Sequence, residues 1–88
     1  MMKLYMAHVG FYESTNGIYE IHSNIFVAAE NIQDAKNKIK NKDIFIEKNM
    51  HIDGIQELLN VDGYDINLEK RQHDAVNPIY HYQDIKQL

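Results

Sequence analysis

Five histidines and no cysteine stand in a chain of 88 residues, so imidazole and carboxylate are the groups with which this sequence could do chemistry. His51 and Asp53 are the best-spaced pair, in Met50-His51-Ile52-Asp53-Gly54. In an extended segment, residues two apart share a face, so both side chains would point the same way. Joined by His22 or His8 from neighbouring strands, they would form a His-His-carboxylate set of the kind that suits zinc, nickel or ferrous iron. No His-Glu-x-x-His and no Cys-x-x-Cys accompanies the pair. The plainer alternative is that His51 hydrogen-bonds a loop carbonyl while Asp53 makes a turn.

His22 beside Glu20 or Asp62 could serve as an oriented general base. Side-chain nucleophiles are scarce: Ser14, Thr15 and Ser23 all fall in turn-like or bulge-like contexts, and no Gly-x-Ser-x-Gly elbow exists. Water would have to attack. Glycines 10, 17, 54 and 63 are too scattered to cradle a phosphate. Tyr64 and the other aromatics, Tyr5, Phe11, Tyr12, Tyr19 and Phe26, either line a ligand pocket or pack the core. The candidate site is thus His22, His51, Asp53, Asp62 and Tyr64, and no metal or cofactor is specified by these residues alone.

Net charge at neutral pH is −4, which argues against a nucleic-acid partner, because phosphate neutralisation needs clustered Lys and Arg. Lys36, Lys38, Lys40 and Lys42 alternate with Asn and Ile, the pattern of a solvated helix face. Protonating all five histidines would take the charge from −4 to +1. No apolar run approaches the ~20 residues that span a bilayer, and no secretory leader is visible, so no membrane partner is expected and the cytoplasm is the default location.

The elements that must hold these residues can be read from patterning. Leu4–Tyr12 carries no formal charge and is largely apolar on both faces, as a central strand is. Glu13-Ser14-Thr15-Asn16-Gly17 is turn chemistry. Ile18–Ala28 is a second strand, pairing antiparallel with the first, and Ser23-Asn24 could form a bulge. Asn31 caps a helix from Ile32 to about Lys42, with Ile32, Ala35 and Ile39 as its apolar stripe. Ile44-Phe45-Ile46 is open between a last helical turn and an extended piece. Ile55–Val61 and Tyr64–Leu68 flank Asp62-Gly63, a strong hairpin signal. Residues 1–70 form one domain. Residues 71–88, polar as far as Asn77 and broken by Pro78, form a tail that is either mobile or packed on a partner.

This order predicts an α+β fold: an antiparallel sheet of about four strands, β-β-α-β-β, with one main helix on one face. A helix of about 11 residues is ~16 Å long. It covers one face of such a sheet at most, whereas the first strand is apolar on both. Another copy of the chain, the tail or a ligand would cover the other face, and a homodimer is the favoured arrangement.

Lys3-Leu4-Tyr5-Met6 with Val9-Gly10, His22 before Ile25-Phe26-Val27-Ala28-Ala29-Glu30, His51-Ile52-Asp53-Gly54 and Val61-Asp62-Gly63-Tyr64 together resemble the bacterial family known as domain of unknown function 1543, over roughly residues 2–68. The two Asp-Gly motifs, in that order after the helix, are the most specific part. The family occurs as one or two copies per chain and has no assigned activity, so the resemblance implies a fold and a pairing of domains rather than a reaction. Two function classes stand: a non-catalytic homodimeric module that binds a partner or small ligand, and a small metal-dependent or general-base enzyme using His22, His51 and Asp53.

Overall fold

A computed structural model describes residues 1–13, 15 and 17–88. The expected turn at residues 13–17 is described in part: Gly17 has φ 64°, and Ser14 and Asn16 lie outside the described residues. β1 (Lys3–Tyr12) and β2 (Glu20–Ala29) run antiparallel in unbroken register from Lys3↔Ala29 to Tyr12↔Glu20. After β2 come α1 (Ile32–Lys40) and the short α2 (Asp43–Glu47), then β3 (His51–Leu58), which pairs antiparallel with the other edge of β1. The sheet order is β2-β1-β3, so the strand that is uncharged from Leu4 to Tyr12 is central, as its composition requires.

The α+β class and the antiparallel pairing agree with the sequence pattern, and the strands divide into two sheets. Asp62-Gly63 turns a separate two-stranded ribbon, β4 (Asn60–Val61) with β5 (Tyr64–Asp65). Both turn residues have positive φ, 52° and 82°, the conformation of a tight hairpin turn. The segment expected as the first hairpin limb belongs mostly to β3. β1 offers it a far longer apolar partner than the hairpin does.

Tyr5, Ala7, Val9 and Phe11 alternate on one face of β1 and are all buried. Val27 and Ala29 extend that face on β2, with Ile25, Ile52 and Ile55 packed beside them. Ala35 and Ile39 of α1 and Phe45 of α2 complete this layer. Ile32, expected in the helix stripe, is 54% exposed at the first turn. Asn31 caps α1 as expected, its side chain accepting from Asp34 N at 2.8 Å. Lys38 donates to the Ala28 carbonyl at 2.9 Å and ties the helix to β2.

Residues 69–88 are exposed throughout and hold one short helix, α3 (Tyr82–Lys86). No described helix is long and apolar enough to cross a membrane.

Candidate functional site

The face of the sheet opposite the helices is built of cross-strand rows, each with one residue from β2, β1 and β3. One row is His22–Gly10–His51, and its neighbour is Asn24–His8–Gly54. Further along come Phe26–Met6–Gln56 and Ala28–Leu4–Leu58. The face is therefore polar at one end and apolar at the other. The expectation that β1 is apolar on both sides holds only for the Leu4–Met6 half.

Three local features bring the polar end together. The first is a bulge in β3. His8 pairs with Gly54 and Val9 with Ile52, leaving Asp53 as the extra residue. Alternation already puts Asp53 on the His51 face; the extra residue shifts the phase beyond it, so that Gly54 shares the open face while Ile52 and Ile55 both pack on the core. The bulge expected at Ser23-Asn24 is absent, because β2 keeps continuous register through both residues. The second feature is Gly10. Its row places two histidines on either side of a residue with no side chain. A Cβ there would run into Glu20 Oε1 and stand 2.7 Å from His51 Nε2. The empty space is filled by those two side chains. The third is the end of α2. Met50 N donates to Phe45 O at 3.0 Å and Asn49 N to Ile46 O at 3.1 Å, with Asn49 at φ 49°. This Schellman termination stops the helix and delivers the chain into β3 at His51.

The result is a closed ring of alternating imidazoles and carboxylates. His22 Nδ1 lies 3.3 Å from Asp53 Oδ2, and His51 Nε2 lies 3.3 Å from Asp53 Oδ1. His51 Nε2 also stands against Glu20 Oε1, and Glu20 Oε2 is 3.8 Å from His22 Nε2. Glu20 Oε1 is shut off from solvent and has no hydrogen bond of acceptable geometry despite its contact with His51. The His8 ring stacks on His22, centroids 5.0 Å apart and planes 4° from parallel, and His8 Nδ1 is 3.1 Å from Asn24 Oδ1. The side chains of His22, His51 and Asp53 are partly exposed, so the cluster is open to solvent on its outer side.

Of the residues singled out in the sequence, His22, His51 and Asp53 meet, and Glu20 and His8 meet them. Asp62 and Tyr64 belong to the separate ribbon, where Asp62 forms the turn and Tyr64 is 76% exposed. No ion pair or hydrogen bond among the described residues links either to the cluster. A positive-φ turn position accounts for Asp62 fully, since Asp tolerates that conformation better than most residues. Gly10 and Asn24 were not legible as site residues. A lone glycine inside a strand pattern is the one signal that could have pointed to Gly10.

Imidazole and carboxylate donors with nothing softer among them suit borderline divalent ions. Two donors bound to one tetrahedral ion at ~2.0–2.1 Å stand about 3.3 Å apart, which is the spacing of Asp53 from both histidines. Comparison with curated proteins and with solved structures yielded no match. The family model described as Domain of Unknown Function (DUF1543) matches residues 17–68, a span that holds Glu20, His22, His51 and Asp53 and leaves out β1 and the tail. That span is more than half of the chain, and the protein belongs to the DUF1543 family.

Proposed function

We propose that this protein is a metal-binding module whose open sheet face holds a divalent transition-metal ion among His51, Asp53 and Glu20, with His22 alongside. The observation that carries this reading is the Asp53 carboxylate, which has one imidazole nitrogen 3.3 Å from each of its oxygens. A structural ion pair needs one such partner. Two imidazoles and two carboxylates in a ring, with one carboxylate oxygen buried and lacking a hydrogen bond, are better matched to a cation than to one another.

The test is calorimetric titration of the full chain with zinc, with calcium as the hard-cation control. Zinc is expected to bind with micromolar or tighter affinity and calcium far more weakly. His51→Ala and Asp53→Asn should each weaken zinc at least 10-fold while keeping the far-ultraviolet circular dichroism of the parent. Absence of zinc binding, or equal binding by both variants, overturns the reading.

The apolar end of the same face favours a second role, self-association. Leu4, Met6, Phe26, Ala28 and Leu58 share it, and Phe26 is 55% exposed. A second copy seated there would remove these side chains from water and leave the metal site open at the far end.

A further inference from the structure

We infer that the cluster seats two ions, with the Asp53 carboxylate bridging them. This rests on the metal-binding reading and adds the number of ions and the residues of the outer seat. The donors fall into two triads, Glu20–His51–Asp53 and His8–His22–Asp53, each with its ligand atoms within 4.8 Å of one another. Asp53 is the residue they share. Neither triad joins His8 to Glu20 or His51, so an ion seated on the inner triad leaves His8 unused.

The two oxygens of Asp53 face different triads. Oδ1 is turned to His51 of the inner one and Oδ2 to His22 of the outer one, each at 3.3 Å. A carboxylate used through both oxygens in this way holds two ions roughly 3.5–4 Å apart. The outer seat also has its own orienting group. Asn24 Oδ1 accepts a hydrogen bond from His8 Nδ1, which leaves the lone pair on Nε2 as the donor. An outer hydrogen bond that fixes the tautomer and ring plane is the usual support of a metal-ligating histidine. His8 and His22 come from adjacent strands with stacked rings, and one ring must turn out of the stack for both in-plane lone pairs to meet one ion. Gly54, opposite His8, leaves open space above the sheet, and water completes both coordination shells from the solvent side.

The experiment counts zinc per chain in the full protein and in His8→Ala, by elemental analysis after gel filtration. It also records the electron paramagnetic resonance of the manganese-loaded parent. Two ions in the parent and one in His8→Ala are expected, with an exchange-coupled spectrum from the manganese pair. Asn24→Ala should lower affinity for the second ion about 10-fold and leave the first unchanged. One ion in both proteins overturns the bridged pair and leaves the single-ion reading standing. Two ions in both also overturns it, because the second then lies elsewhere, such as on His73 or His81. No ion in either overturns both readings. Should His8→Ala fail to fold, the parent's spectrum decides: a coupled signal supports the pair and an uncoupled six-line signal refutes it.

Discussion

Gly10 illustrates how one missing carbon can define a site. It lies between His22 and His51 in the same cross-strand row, on the central strand, with the ends of Glu20 and His51 in the space a Cβ would occupy. Gly10→Ala therefore forces both side chains outward. Each is displaced at its far end, where rotation about side-chain bonds is cheap, and alanine suits a strand better than glycine by roughly 0.5–1 kcal/mol. The fold should survive, with unfolding free energy in urea within about 1 kcal/mol of the parent. Zinc affinity should fall at least 10-fold, because two donors of the inner triad are moved. A variant that binds zinc like the parent would show that the packing around Gly10 is incidental. His51 and Asp53 were legible from their spacing because they lie on one strand. Glu20 and His8 were legible as partners by residue type alone. The role of Gly10 was not legible, since it depends on the pairing of strands some 40 residues apart, which no local pattern records.

At the scale of elements, the passage from α2 into β3 determines where His51 and Asp53 begin. Phe45 of α2 is buried, and the Schellman bonds from Asn49 and Met50 end the helix at Glu47. Asn49 takes the left-handed position usually given to glycine, at φ 49°. The Asn followed by apolar Met50 is a helix-stop signal, yet the apolar run Ile44-Phe45-Ile46 fits a strand as well as a helical turn, so the sequence left this element open. Asn49→Gly should stabilise the protein by several tenths of a kcal/mol up to about 1, and Asn49→Ala should destabilise it by about 1. Paired urea melts check both signs. A melt unchanged by either substitution would mean that β3 is positioned by its pairing with β1 alone. The hairpin, by contrast, was legible in full at its turn: Asp62-Gly63 adopts the positive φ values that the dipeptide encodes. Its strands were overestimated because β1 competes for the preceding residues. The helix N-terminus was legible because Asn31 and Asp34 form a cap that needs no tertiary partner.

At the scale of the molecule, the radius of gyration is 15.9 Å, against about 12 Å for a compact domain of this length. Residues 59–65 and 69–88 are exposed throughout and lie outside the packed core. Ile79, Tyr80, Tyr82, Ile85 and Leu88 there are all more than half exposed, as is Phe26 on the open face. Area decides how these apolar pieces can be used together. Three strands of about ten residues present a face of roughly 14 by 33 Å, about 460 Å², and half of it is the polar cluster. A stable interface needs about 800 Å² from each partner. The apolar rows alone fall short, so a dimer held through this face must also recruit the tail of the second copy. Sedimentation equilibrium at micromolar concentration should then give about twice the 10.4 kDa chain mass for the full protein. Phe26→Glu should shift it to monomer by placing a charge at the centre of the apolar rows. Removing residues 71–88 should weaken association at least 10-fold while leaving zinc binding intact, because the tail contributes no donor to either triad. A full-length chain that sediments as a monomer at that concentration refutes self-association outright. A tail-deleted chain as dimeric as the parent refutes the tail's part in it and requires an interface away from this face.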